Sequence, residues 1–337
     1  MKSILPAKLT VFLILAYLLG VTPNLFALTI LYIPGKNSSF YKSVERGIQN
    51  RAQTFNSEVI IPGYPESWNP DEQEELLQRG LEMARPDLVI IVPASPLLRA
   101  PLELLHKKNI PIITLDRRLD SISTSSNDTG FPLVHISTDQ HAGGAAMATG
   151  LAQLINNKGK IYINSTFPDI PVLSDRFRAF LNAISQYPNI TITGIDIAGI
   201  DFSNIDRGIG GSSREIKMNA YHQSLEFLQK HPDINAIFCT NELSGKGIAR
   251  AIDEIGLSGS IKIGVWDATP AMVQTLNDGL IDLLLAQKPF EMGTAAVYWG
   301  IRHIDTQETP PKAVYVGFEK IDKQNIRKSR IQNLIYH

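Results

Sequence analysis

The feature that most limits the fold of this chain is a repeated alternation of short apolar runs with amphipathic stretches. The runs LTILYI (28–33), EVIIP (58–62), DLVIIV (87–92) and IPIITL (110–115) come first, separated by segments of helical period such as Val44, Ile48, Ala52 and Phe55. Strands that are apolar along their whole length, and are joined by helices, belong to a parallel sheet covered on both faces. A second series follows with KIYIN (160–164), ITITGIDI (190–197), NAIFCT (235–240) and KIGVW (262–266). Two series in 337 residues predict an α/β fold of two doubly wound parallel-sheet lobes, one domain each. The run VHIST (134–138), after a polar loop at 119–130, and DLLLAQKP (282–289) stand where the chain can cross between lobes, giving a multi-strand hinge. The expected lobes are 28–139 plus 288–317 and 140–287 plus 318–337. The Gly- and Ser-rich segment NIDRGIGGSSRE (204–215) predicts an exposed, mobile loop.

The amino terminus has the layout of a secretory signal peptide: Lys2 and Lys8, an uncharged stretch from Leu9 to Val21, Pro23, and a cleavage point after Ala27. The apolar stretch is shorter than the ~20 residues of a membrane span, so removal of 1–27 and release into the periplasm are expected. Cys239 is the only cysteine, so no intramolecular disulfide can form; within AIFCT it reads as a buried structural thiol. Thirty-two basic residues against 33 acidic ones, with no run of one sign, argue against a nucleic-acid partner. No HExxH, GxSxG or Walker-type pattern occurs, so neither enzyme, metal site nor cofactor is expected. His141 reads as a structural residue at a helix start.

Ligands of open parallel sheets bind beyond the carboxyl ends of the strands, where loops and helix amino termini converge. At those ends stand Asp116 and Arg117, Asn241 and Glu242, Asp267, and Gln287; LTILYI runs into Pro34 and Gly35, followed by Asn37, Ser38, Phe40 and Tyr41. Arg176 follows Ser174 and Asp175 at the expected start of the helix after KIYIN, with Ser174 as its cap. Carboxylates accept from vicinal hydroxyls, a guanidinium donates to two oxygens and amides do one of each, a set suited to a neutral sugar. Phe40 and Tyr41 would then cover the apolar face of the ring. Each residue has a plainer alternative. Asp and Asn after a strand often cap the next helix, although Thr269 before Pro270 is the better cap beside Asp267. Phe40 and Tyr41 fit a core equally well, and Gln287 fits a backbone-bonding hinge position.

From Leu28 to about Gln324 the chain resembles the type I periplasmic binding proteins, and most of all their ribose-binding group. The resemblance rests on SSFYKSVERGI (38–48), IPIITLDRR (110–118), STDQHAGG (137–144), HPDINAIFCTNE (231–242), KIGVWDATP (262–270) and LNDGLIDLLLAQKP (276–289). It implies two lobes that close over a sugar. It places Asp116 and Arg117 as the first-lobe pair on ring hydroxyls, Phe40 and Tyr41 as paired aromatics, and Arg176, Asn241 and Asp267 as second-lobe partners. Gln287 falls on the hinge glutamine and Phe202 on the aromatic that stacks from the opposite side. Pro34 replaces a serine of the ribose binders and Ser38 an asparagine, so a monosaccharide class is implied and not ribose itself. The segments YIPGKNSSFY and YVGFEKIDKQN also look like the quorum-sensing autoinducer receptors of the same superfamily. The implied partners are a sugar-like ligand and the membrane permease of an ABC importer, or alternatively a membrane histidine kinase or chemoreceptor that reads the closed form.

Overall fold

A computed structural model describes residues 28–119, 130–166, 171–198 and 213–336. In it the two series of apolar runs form two six-stranded sheets. The first sheet holds β1 (Thr29–Ile33), β2 (Glu58–Ile60), β3 (Leu88–Ile91), β4 (Ile112–Leu115), β5 (Val134–Thr138) and β11 (Ala313–Val316), in the order β11-β5-β4-β3-β1-β2. All its pairings are parallel. The second sheet holds β6 (Gly159–Ser165), β7 (Ile190–Ile197), β8 (Ala236–Cys239), β9 (Lys262–Trp266), β10 (Leu283–Gln287) and β12 (Phe318–Ile321), in the order β12-β10-β9-β8-β6-β7. Its edge strand β12 runs antiparallel to β10.

The alternation of side chains along each central strand divides its core in two. Ile30 and Tyr32 of β1 face α1 (Ser39–Thr54) and α9 (Pro289–Thr306), packing with Val44, Ile48, Met292 and Val297. Leu31 and Ile33 face the other way, towards Leu76 and Leu77 of α2 (Pro70–Met83) and Leu102 of α3 (Arg99–His106). The second sheet repeats the plan. Ile237 and Cys239 of β8 pack with Ile248 of α7 (Glu242–Glu254) and Met272 of α8 (Pro270–Asp278). Ala236 and Phe238 pack with Met147 of α4 (Gln140–Leu154) and Phe180 of α5 (Pro171–Ile184). Helix α6 (Ser213–Lys230) lies along α7. Cys239 is fully buried, and burial pushes its thiol well above the ordinary range.

Within the described residues the chain passes between the sheets three times. After β5 it enters α4, which packs on β9 and β10 of the second sheet. After β10 it returns through α9, which packs on α1, β4 and β5. Gly317 alone then separates β11 of the first sheet from β12 of the second. Close packing of α4 on α5 depends on Gly144, where an added Cβ would lie 2.5 Å from the Arg176 carbonyl oxygen. That approach fixes the backbone from which the Arg176 side chain leaves.

Two sequence expectations differ from the structure. Ser174 does not cap a helix: α5 already begins at Pro171, and Ser174 is buried inside it. Proline at a first helical position accounts for the earlier start, since its fixed φ suits the first turn. In the 204–215 segment, 213–215 are the first turn of α6; residues 204–212 lie outside the described residues. No described helix is long and apolar enough to cross a membrane.

Candidate functional site

The two sheets end in matching devices. Beyond β4, Asp116 takes the left-handed backbone conformation, with φ 57°. Its N–H donates to the Ile136 carbonyl at 2.8 Å, while the Arg117 N–H reaches back to the Leu115 carbonyl at 2.6 Å, closing a three-residue γ-turn. Beyond β9, Asp267 has φ 85° and its N–H donates to the Leu285 carbonyl at 2.9 Å. Left-handed backbone costs a non-glycine residue of the order of 1–3 kcal/mol and persists where its surroundings enforce it. Here it aims one carboxylate from each sheet away from the strand that carries it.

Asp116 is buried and Asp267 half-buried, and both are held by hydrogen bonds and nearby positive charge. The Tyr41 hydroxyl donates to Asp116 Oδ2 at 2.7 Å. Burial raises the Asp116 pKa, opposed first by that hydrogen bond and then by Arg176 and Arg117. Burial likewise raises the Asp267 pKa, opposed by Arg176 and by the Gln287 amide, which donates to Oδ1 at 2.7 Å. The charge of Arg176 therefore acts at longer range on carboxylates of both sheets, while its own hydrogen bonds go elsewhere. Its guanidinium stacks on Trp266 at 3.8 Å, donates to Gln140 Oε1 at 3.1 Å and donates to the Thr240 carbonyl. Burial lowers its pKa to about 10 even so.

Arg117 lies over the Trp68 ring at 4.3 Å, and its pKa is lowered by burial despite the neighbouring Asp116 carboxylate. Trp68 in turn meets Tyr41 edge-on, with ring centroids 5.7 Å apart. Tyr41 is a core residue by exposure, 4%, yet its hydroxyl belongs to the site. Phe40 is half-buried, edge-on to Tyr41 at 5.1 Å and to Tyr336 at 5.3 Å. Asn241 caps α7: its side-chain oxygen accepts from the Leu243 and Ser244 N–H groups at 3.0 and 3.1 Å. Its amide donates to Thr166 Oγ1 at 2.6 Å. Phe202 lies outside the described residues.

Gln287 ties the two sheets together. Thr138 at the end of β5 donates to its Oε1 at 2.7 Å while its Nε2 donates to Asp267, so one buried amide spans the crossing strands. Nearer the rim, Arg118 of the first lobe forms an ion pair with Asp175 of α5. The lobes thus meet at the strand ends, with Asp116, Arg117 and the aromatics on one side and Arg176 and Asp267 on the other.

Several residues of this site were not singled out by sequence reasoning. Trp68 stood in a loop without a motif, and Tyr336 in a tail without one. Thr138 carried a signal, as the last residue of a run placed at a crossing. Gln73 carried a better one, being polar on a face otherwise built from Leu76, Leu77 and Gly80. Fully buried, it donates to the Pro34 and Val92 carbonyls and accepts from the Ala94 N–H, each at 2.7 Å, shaping the loops after β1 and β3. Lys36, in the first of these loops, is half-buried; burial lowers its pKa against the pull of Glu242 and Asp267 from the second lobe. An open depression of about 550 Å³ on α2 is lined by Asp71, Glu74, Glu75, Gln78, Arg79 and Glu82 and includes none of the strand-end residues. Among the described residues no group of three or more His, Cys, Asp or Glu is placed to hold a metal ion.

Two α/β lobes with three crossings and facing strand ends agree with what comparison finds. A family model described as "Periplasmic binding protein domain" matches residues 30–308. The chain belongs to the periplasmic binding protein family. Among curated members, it is 24% identical to the ribose import binding protein RbsB of Escherichia coli over 262 residues, 77% of this chain and 79% of that one. It is 21% identical to the D-allose-binding periplasmic protein of the same organism, over 77% of this chain and 79% of the other. Among solved structures, an ABC transporter solute-binding protein from Agrobacterium vitis with bound α-D-tagatopyranose superposes with a TM-score of 0.77. It is 28% identical, and the alignment covers 92% of this chain and 99% of that one. A solute-binding protein from Actinobacillus succinogenes, solved with D-allose, shares the fold at a TM-score of 0.74 and 22% identity, over 88% and 98% of the two chains.

Proposed function

We propose that this protein is the soluble receptor of an ABC-type sugar importer, closing in the periplasm around one monosaccharide-like ligand after removal of residues 1–27. Its lobes in this reading are 28–139 plus 288–317 and 140–287 plus 318–337. The observation that carries it is the pair of carboxylates, buried Asp116 and half-buried Asp267, turned out of different sheets by matching positive-φ turns and held by the Tyr41 hydroxyl and the Gln287 amide, with the charge of Arg176 acting on both. A polyol is the ligand that such a set suits: hydroxyls donate to the carboxylates and accept from the guanidinium groups of Arg117 and Arg176. Phe40 supplies an apolar face, Tyr41 orients Asp116, the Asn241 amide adds a donor and Gln287 keeps Asp267 in place across the hinge. Phe202 is assigned the opposite aromatic face on the family resemblance alone. Charge-assisted hydrogen bonds contribute about 1.5–3 kcal/mol and neutral ones about 1, so four to six of them, less the cost of association, reach the ~8 kcal/mol of a micromolar complex.

Pro34 and Ser38 stand where ribose binders carry further donors, so the proposal is a monosaccharide class. Ser38 is spent on capping α1, accepting from the Tyr41 N–H. Import is preferred to signalling because the curated relatives are named as import or sugar-binding proteins. A thermal-shift screen of monosaccharides and polyols, followed by calorimetry on Asp267→Ala, tests the reading. At least one monosaccharide should raise the melting temperature by mass action, and the variant should lose its binding while the ligand-free melting temperature hardly changes. Undiminished binding by Asp267→Ala would remove the assignment.

A further inference from the structure

Beyond the matched residues 30–308, the chain continues into β12 and the short helix α10 (Ser329–Gln332), and its Tyr336 returns to the cleft. Ile331 and Ile335 are buried in the second-lobe core with Ala268 and Ala286, which anchors this segment firmly to that lobe. Tyr336 itself is 2% exposed. Its phenolic oxygen accepts the Gln287 N–H at 2.8 Å, and its own N–H points to the Ala268 carbonyl at 3.4 Å. Its ring meets Phe40 of the first lobe edge-on, with centroids 5.3 Å apart at 89°. A side chain rooted in one lobe therefore touches the other, and it does so between the hinge amide and a candidate ligand-facing aromatic.

We propose that Tyr336 is a wall of the ligand cleft and a strut of its hinge, a specificity-determining residue that fixes the position of Phe40 and Gln287 and so decides which sugars fit. This rests on the sugar-binding reading of the same cleft. An aromatic ring at this place fills volume beside Phe40 that a larger or differently branched ligand would need. The oxygen holds the strand end from which Gln287 grips Asp267 and Thr138. Burial beside the Asp267 carboxylate also keeps the phenol protonated, with its pKa pushed well up. The ring and the oxygen can be tested apart, since Tyr336→Phe keeps the first and removes the second.

Calorimetry of the mature wild type, Tyr336→Ala and Tyr336→Phe with D-ribose, D-allose, D-arabinose, D-fucose and D-tagatose gives the first readout. Hydrogen exchange at the Gln287 amide without ligand gives the second. Tyr336→Ala should change the best affinity by at least tenfold and reorder the preferences. Tyr336→Phe should keep the order, with affinities within about threefold. Both variants should exchange the Gln287 proton at least tenfold faster than wild type. Affinities for all five sugars within twofold of wild type in Tyr336→Ala would overturn the proposal. If no sugar binds the wild type, the sugar reading fails by itself; exchange then decides the strut, and an unchanged Gln287 rate in either variant overturns it. Should Tyr336→Ala not fold, Tyr336→Phe carries the same exchange criterion.

Discussion

Replacing Gln73 with leucine separates the structural support of the cleft from its chemistry. The side chain is fully buried and makes three hydrogen bonds of 2.7 Å to backbone groups of Pro34, Val92 and Ala94. Leucine conserves much of the volume, so the loss is polar: two carbonyls and one N–H are stranded at the ends of β1 and β3. Each stranded buried group costs about 1–3 kcal/mol, and the leucine recovers part of this through its own burial, leaving a net destabilisation of about 3–6 kcal/mol. For a body of 150–250 residues this corresponds to a fall in melting temperature of roughly 6–24 °C. Differential scanning calorimetry of the ligand-free protein measures it. A fall of less than about 3 °C would show that the loops do not depend on Gln73, and that the hydrogen-bond argument is wrong. Asp267→Ala provides the contrast, because that carboxylate is only half-buried and accepts one side-chain hydrogen bond, from Gln287, so its loss should cost the fold far less.

The remaining predictions address the rim and the pH response. The Arg118–Asp175 pair is partly solvated, with side chains 35% and 20% exposed, so Arg118→Ala should weaken ligand binding by no more than about fivefold, an effect that shrinks with added salt. Calorimetry at low and high ionic strength checks this. His135 is buried with Nδ1 3.0 Å from the Thr114 hydroxyl, and burial, with Arg118 nearby, lowers its pKa to about 3. The unfolded chain takes up this proton near pH 6.5 and the folded one does not, so stability is present above that pH and lost below it. By about pH 5 the loss is about 2 kcal/mol, which urea unfolding at the two pH values should show for wild type and not for His135→Phe.

Strand positions were legible in the sequence because buried parallel strands are apolar throughout, and β1, β3, β4, β8, β9 and β10 fall within the expected runs. The edge strands β11 and β12 were not read as strands: AVYV and FEKI are half-exposed, and only the first is apolar. Position at a strand's carboxyl end marked Asp116, Arg117, Asp267 and Gln287 together, because ligands of open parallel sheets bind beyond those ends. It left caps and ligand groups undivided, and Asn241 shows why: its oxygen caps α7 while its amide points to Thr166. Thr269 caps α8 ahead of Pro270, as its sequence context suggested. Trp68, Gln73 and Tyr336 depend on contacts between distant segments, for which no local pattern exists. The left-handed turns at Asp116 and Asp267 are equally silent in sequence, since aspartate after a strand more often caps a helix.

The central claim is that two lobes close on one small ligand, and small-angle X-ray scattering tests it most directly. The radius of gyration of the mature chain, about 20 Å for a compact body of this size, should be measured without ligand and with whichever monosaccharide raises the melting temperature. The account predicts a smaller radius with the sugar bound and no such change for Asp267→Ala. An identical radius for the free and sugar-saturated wild type would contradict it.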